Sequence, residues 1–220
     1  MSERYQALMP ENFLDKTFIS RAVAKPGVQI LLILLTGFLA YANTFNVPFI
    51  FDDNRVILDN HLIKNLGNFW PPSGARWFGS LTFAINYAVG DLQVSGYHYV
   101  NLAIHLASSL LVYRLVLVTF STPLFLRDKQ ASAGITSRAF VPFLASFLFV
   151  AHPIQTQAVT YIVQRYASLA TLFFLAATVC YIQARLLYAD CPSDHRTRAC
   201  RVGCWYVAAL LSAVLAMKTW

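Results

Sequence analysis

Charge is what this sequence has least of. Only 12% of its 220 residues are Asp, Glu, Lys or Arg, while 57% are hydrophobic. A soluble domain carries about twice that share of charge. The mean hydropathy is positive. A soluble core of this size cannot hide so much apolar surface, so the composition reads as a multi-span membrane protein. Alternating apolar and polar strand patterns are also missing, which argues against a barrel. No internal repeat, low-complexity segment or tetratricopeptide pattern is present.

The net charge of +7 raises the question of nucleic acid. The Lys and Arg residues lie in short loops beside hydrophobic runs, as topology signals do, and no basic patch stands apart from them. Nucleic acid is therefore not expected as a partner. Cysteine is scarce as well: Cys180, Cys191, Cys200 and Cys204. The last three surround "CPSDHRTRAC", which contains His195. The spacing departs from the common CxxC metal patterns, so free thiols are expected there rather than a zinc site.

Five hydrophobic segments are legible, at about Pro26–Phe45, Tyr97–Phe120, Ile135–Ala151, Tyr166–Tyr188 and Val202–Met217. A helix needs about 20 apolar residues to cross the hydrocarbon core. The third segment is short and contains Pro142. It is expected to be tilted, kinked or shielded by its neighbours. The expected fold is thus all-α: a polytopic transmembrane bundle of about five spans. Residues 1–25 form an N-terminal segment, and 26–220 a membrane domain with a long first outer loop at about 46–96.

Basic residues set the direction. Arg4, Lys16, Arg21 and Lys25 precede the first span. Arg127, Lys129 and Arg138 lie between the second and third, and Arg185, Arg196, Arg198 and Arg201 between the fourth and fifth. The other side holds only Arg55, Lys64, Arg76 and Arg165. By the positive-inside rule the N-terminus is cytoplasmic. The outer loop then faces a periplasm, the exterior or an organelle lumen. "AYAN" at 40–43 resembles a signal-peptide cleavage site, but the long polar leader and the later spans favour an uncleaved signal-anchor.

The outer loop contains a helix candidate at 76–90, "RWFGSLTFAINYAVG". Trp77, Leu81, Ala84 and Ala88 recur at helical spacing, with Phe78 and Ile85 beside them. Two placements are open for it, flat on the membrane face or packed on the bundle.

Polar groups enter the bundle in two stripes. His98, Asn101, His105 and Ser108 are spaced three, four and three apart, which puts them on one helical face. Such residues are costly in a membrane and should face the interior, either lining a cavity or bonding between helices. Interhelical bonding is expected for the deeper His105. The second stripe, in "HPIQTQAVTYIVQRYASLA", comprises Gln157, Thr160, Gln164 and Ser168, with Arg165 adjacent. Arg165 at a membrane surface either snorkels or forks onto a phosphate.

The adjacent carboxylates in "FIFDDNR" complete the picture. A carboxylate serves as general base for a hydroxyl, and an arginine stabilises a leaving phosphate. That combination suits group transfer from a membrane-embedded phosphate donor. It suits substrate-coupled transport almost as well, although neither paired broken helices nor an inverted repeat is visible. A non-catalytic membrane scaffold is the third reading.

Four stretches separate these readings. "NTFNVPFIFDDNRVILDN", "LTFAINYAVGDLQVSGYHYVNLAIHLASSLLVY", "HPIQTQAVTYIVQRYASLATLFF" and "LLSAVLAMKT" resemble, in order and spacing, one family. It is the membrane half of the tetratricopeptide-repeat-containing O-mannosyltransferases and their bacterial relatives, and the resemblance runs from about Ala42 onward. It implies a C-type glycosyltransferase fold. Such an enzyme passes a sugar such as mannose from a polyprenyl-phosphate carrier to a hydroxyl of a protein or glycan acceptor. It does so at the outer membrane face, without a metal or other cofactor.

The resemblance implies an acidic pair at Asp52 and Asp53. Asp52 is the implied base and Asp53 positions the acceptor, with the opposite split also open. His152 and Arg165 match positions lining the family's site, and His98 and Lys218 match characteristic positions. Asn101 and Gln157 are expected to line the cavity. "HPIQTQ" departs from the His-Pro-x-His-Thr-Glu of many members and places the chain nearer a bacterial branch. The implied location is then a bacterial inner membrane, with the acidic loop periplasmic. Family members continue through more spans and then helical repeats, so the chain reads as an N-terminal fragment.

Overall fold

The computed structural model describes residues 25–127, 135–189 and 195–219. Among the described residues there is no strand. Six main helices account for most of the chain: α1 (Pro26–Tyr41), α2 (Trp77–Gly90), α3 (Val94–Phe120), α4 (Ile135–Ala151), α5 (Arg165–Ala189) and α6 (His195–Met217). All five expected apolar segments are helical. Three stretches are long and apolar enough to cross a membrane, Val94–Phe120, Ile162–Ala189 and Ala199–Met217. Pro26–Tyr41 and Phe140–Ala151 are apolar but shorter.

α1 starts on Pro26, whose missing N–H costs nothing at a helix N-terminus. It stops at Tyr41, earlier than hydropathy suggested, and the Thr44 hydroxyl donates to the Tyr41 carbonyl at 2.8 Å. α1 and α4 both run antiparallel to α3. The Tyr113 hydroxyl of α3 donates to Gln29 of α1 at 2.7 Å, while Phe45, just past α1, stacks on Tyr99. On the other side, Ser146 of α4 donates to the Ser109 carbonyl at 2.6 Å, and His105 bonds the Val150 carbonyl at 3.2 Å. Gly37 brings these helices close, because a Cβ there would run into Leu106 of α3 and Val150 of α4.

The bundle exposes apolar side chains and keeps polar groups inside, among apolar ones. Leu31, Leu35 and Leu39 of α1 and Leu210, Leu211 and Val214 of α6 are exposed. Gln29, Ser109 and Ser146 are buried. This inversion is what a lipid solvent selects: hydrocarbon tolerates exposed leucine, whereas polar groups must find partners between helices.

Successive helices alternate in direction, so one end of the bundle gathers residues 42–93, the stretch 152–164 and the end of α6. The Lys218 carbonyl accepts the Phe78 N–H of α2 at 3.1 Å, tying α6 to the first loop. α2 packs on this end rather than standing apart. Its buried residues are Gly79, Phe83 and Ala84, while Ile85 is half exposed and Ala88 exposed. Of the stripe Trp77, Leu81, Ala84 and Ala88, the first three pack on the core and Ala88 is exposed. Phe83 extends the buried face, packing with Ile57, Tyr97, Ile162 and Tyr166 in a cluster that the helix's own spacing cannot reveal.

Candidate active site

The acidic pair sits on a reverse turn at the loop end of the bundle. The Ile50 carbonyl accepts the Asp53 N–H at 2.9 Å, and the Asp53 carboxylate accepts the Ile50 N–H at 3.1 Å. These reciprocal bonds close the turn and leave Phe51 and Asp52 at its corner. Phe51 is 82% exposed, with φ at +47°. A non-glycine residue in the left-handed region stores about 1–3 kcal/mol and persists only where its surroundings enforce it.

The turn separates the two carboxylates. Asp53 is 1% exposed, and its second oxygen accepts the Val163 N–H at 2.8 Å. Val163 lies in the turn Ile162–Gln164 that leads into α5. Asp53 thus caps, from 110 residues away, a helix start whose N–H groups lack intrahelical partners. Burial pushes its carboxyl above the usual range, opposed by those N–H bonds and by His98 nearby. Asp52 is exposed, and its carboxylate lies beside the Tyr161 hydroxyl. Its backbone N–H donates to the Tyr161 hydroxyl at 3.1 Å, and Phe51 packs edge-on to the Tyr161 ring. Burial raises the Tyr161 phenol, and the neighbouring Asp52 and Asp53 charges add to that rise. One carboxylate is therefore buried and anchored, and the other is exposed beside the Tyr161 hydroxyl.

The polar stripe of α3 is interior, as its spacing indicated. His98, Asn101, His105 and Ser108 are all buried. His105 forms the expected interhelical bond, and with Ser108 and Ser168 it lines a cavity of about 80 Å³. His98 bonds the Val47 carbonyl at 2.9 Å. A carbonyl only accepts, so His98 Nε2 carries the hydrogen. His98 Nδ1 is left buried without a hydrogen-bond partner. The side-chain nitrogen of Asn101 donates to the Ile162 carbonyl at 3.2 Å.

Arg165, expected at a phosphate or cavity, is held within the protein. It is fully buried. Its Nε donates to Asn101 Oδ1 at 2.7 Å, and one terminal nitrogen to Asn86 Oδ1 at 2.7 Å and the Thr82 carbonyl at 3.3 Å. The other terminal nitrogen donates to the Tyr97 carbonyl at 2.9 Å. The guanidinium also lies over the Phe83 ring, 4.4 Å from its centroid. Four of its five N–H groups are thus spent on neutral oxygens of α2 and α3. In this arrangement it is a strut joining three helices, with no open fork for a phosphate. The reason is tertiary, since α2 folds over the guanidinium.

His152, Gln157 and Lys218 are exposed at the same end. His152 Nδ1 accepts the Ile154 N–H at 3.2 Å and caps the turn Pro153–Gln155, which leaves Nε2 as its outward donor. Gln157 contributes its carbonyl to Tyr161 N–H at 3.1 Å, with its side chain outward. Tyr161, Asn86 and Thr82 are not among the expected site residues. The contacts that bring them here span 79 or more residues, and no local spacing signals that.

Cys200 and Cys204 are exposed free thiols, while Cys191 lies outside the described residues. Among the described residues no three His, Cys, Asp or Glu side chains come together as a metal site.

No protein-family model matches the chain, and no solved structure matches it. Curated proteins do. Protein O-mannosyl-transferase TMTC2 of Mus musculus is 33% identical over 165 residues, covering 67% of this chain and 18% of that protein. Protein O-mannosyl-transferase TMTC3 of Homo sapiens is 32% identical over 173 residues, 71% of this chain and 17% of that protein. Protein O-mannosyl-transferase TMTC4 of Mus musculus is 30% identical over 193 residues, 80% of this chain and 26% of that protein. The chain therefore spans roughly a fifth of the length of the first two. These relatives are eukaryotic, whereas the sequence reading leaned to a bacterial branch. With the ordered motifs and an all-helical membrane architecture, the matches establish that the chain belongs to the TMTC family of protein O-mannosyl-transferases.

Proposed function

We propose that the chain forms the N-terminal part of the membrane domain of a glycosyltransferase. It moves a sugar, mannose by the relatives' name, from a polyprenyl-phosphate carrier to a hydroxyl of a protein or glycan acceptor. The reaction takes place at the outer face, in a periplasm or an organelle lumen. The observation that carries this reading is the division of labour at the turn. Asp52 is an exposed carboxylate held at a strained corner, while Asp53 is buried and fully bonded beneath it.

In this scheme Asp52 takes the proton of the acceptor hydroxyl while the acceptor oxygen bonds the anomeric carbon. The bond from that carbon to the phosphate oxygen breaks, and the lipid phosphate leaves. Asp53 positions Asp52 by fixing the turn against α5. With Arg165 spent internally, the phosphate charge falls to the exposed Lys218 and to the outward nitrogen of His152, both at this end of the bundle.

The test uses membranes containing the chain, labelled polyprenyl-phosphate mannose and an acceptor. Asp52→Asn should lower transfer by about 10²- to 10⁴-fold, the usual worth of a general base, with folding intact because Asp52 is exposed. Undiminished transfer by the Asp52→Asn, Asp53→Asn double variant would sink the assignment.

A further inference from the structure

At the end opposite Asp52, the inner halves of α3 and α5 splay into a groove of about 620 Å³. Its walls are apolar, including Leu117, Phe120, Leu186 and Leu187, and its polar members are Arg114, Gln183 and Ser121. Arg114 is the single charged residue in the helix Val94–Phe120. It lies six residues before Phe120, about 9 Å inside the helix end at 1.5 Å per residue.

Arg114 has little protein to satisfy it. Among the described residues its one hydrogen bond goes to Gln183 Oε1, at 3.2 Å. Its side chain is exposed. A guanidinium offers five N–H groups, so four have no acceptor among the described residues. An apolar helix laid into the groove would strip those donors of water and return nothing. A phosphate accepts them in pairs and neutralises the charge.

We propose that this groove binds an anionic glycerophospholipid. Its phosphodiester sits on Arg114 and Gln183, and one acyl chain follows Leu117, Leu186 and Leu187. The site lies at the end to which sequence counting assigns most of the basic residues. It is separate from the acidic turn, so it stands or falls independently of the transfer reaction.

The test is native mass spectrometry of the 220-residue chain after reconstitution in equimolar phosphatidylglycerol and phosphatidylcholine. The wild type should retain phosphatidylglycerol in preference to phosphatidylcholine. Arg114→Leu should lower that preference about fivefold, the effect of one basic residue at an anionic surface, and Arg114→Lys should keep most of it. Leu187→Trp, which fills the groove and leaves the charge, should lower it too. Circular dichroism confirms that each variant is helical. Equal retention of both lipids by the wild type, or an unchanged preference in both Arg114→Leu and Leu187→Trp, overturns the proposal. A third arm adds a polyprenyl phosphate; its displacement of phosphatidylglycerol at equal concentration overturns the phospholipid assignment.

Discussion

The Asp53 carboxylate accepts the Val163 N–H at 2.8 Å, joining the first loop to the start of α5 across 110 residues of chain. The same carboxylate holds the Ile50 N–H. Two segments distant in sequence are thus fixed to one buried acceptor, and the adjacent Asp52 is left outside. Replacing Asp53 by Ala should cost about 1–3 kcal/mol for each backbone donor left buried and unpaired. Asp52→Ala should change stability by less than about 0.5 kcal/mol, as exposed substitutions do. Thermal unfolding in detergent compares the two, and equal losses would contradict the division between them.

The pH dependence of Asp53 has a definite sign. Burial raises its folded-state pKa, so the folded chain holds this proton more tightly than the unfolded chain. The resulting stabilisation is complete below the unfolded value, about pH 4, and is lost as pH rises through the raised folded value. Relative to Asp53→Asn, which does not titrate, the wild type should gain stability as pH falls from 7 towards 4. A difference that is flat, or that slopes the other way, excludes burial as the dominant influence.

Arg165 offers a test between strut and phosphate ligand. Arg165→Leu leaves the Asn101 and Asn86 side-chain oxygens without this donor, at about 1–3 kcal/mol for each one left buried and unpaired, and takes a second donor from the Thr82 and Tyr97 carbonyls. Arg165→Lys loses the planar fork and recovers only part of this. Both variants should lower unfolding temperature and folded yield. A lysine variant of wild-type stability that only raises the KM for the lipid donor would restore the phosphate role.

Gly79 fixes how α2 seats on the bundle. A Cβ at this position would meet the Tyr166 ring, which is buried and hydrogen-bonded to Ser80 at 3.0 Å. The ring cannot swing aside cheaply. Gly79→Ala should therefore destabilise by about 1–3 kcal/mol, despite the better helix propensity of alanine. Unfolding measurements on this variant and on the exposed Ala88→Gly separate packing from propensity.

Tyr161 positions Asp52 through its hydroxyl, which meets the Asp52 backbone N–H and lies beside its carboxylate. Tyr161→Phe removes the acceptor of the Asp52 N–H and keeps the ring against Phe51. Transfer should fall about tenfold, the worth of one hydrogen bond of about 1.4 kcal/mol. The loss should appear in kcat, with donor KM unchanged. A change confined to KM would mean that the phenol contacts the donor instead.

Some of this protein follows from sequence alone. Hydropathy located the five apolar helices, because lipid requires long apolar runs whatever their neighbours. The three- and four-residue spacing of His98, Asn101, His105 and Ser108 placed them inside, because a helix repeats every 3.6 residues. The pairing of Asp52 with Asp53 was visible as a motif. Which of the two is exposed was not, because that depends on the N–H of Val163, far along the chain. Arg165 could be read as a surface cation until α2 covered it and filled its donors from Thr82, Asn86, Tyr97 and Asn101. The buried face of α2 extends beyond its apolar stripe for the same reason: Phe83 and Gly79 face inward because Tyr166 is there to receive them. Local pattern determines which segments become helices and which faces are polar. The assignment of one carboxylate to structure and the other to solvent comes only when distant segments meet, because buried donors and acceptors must be paired there.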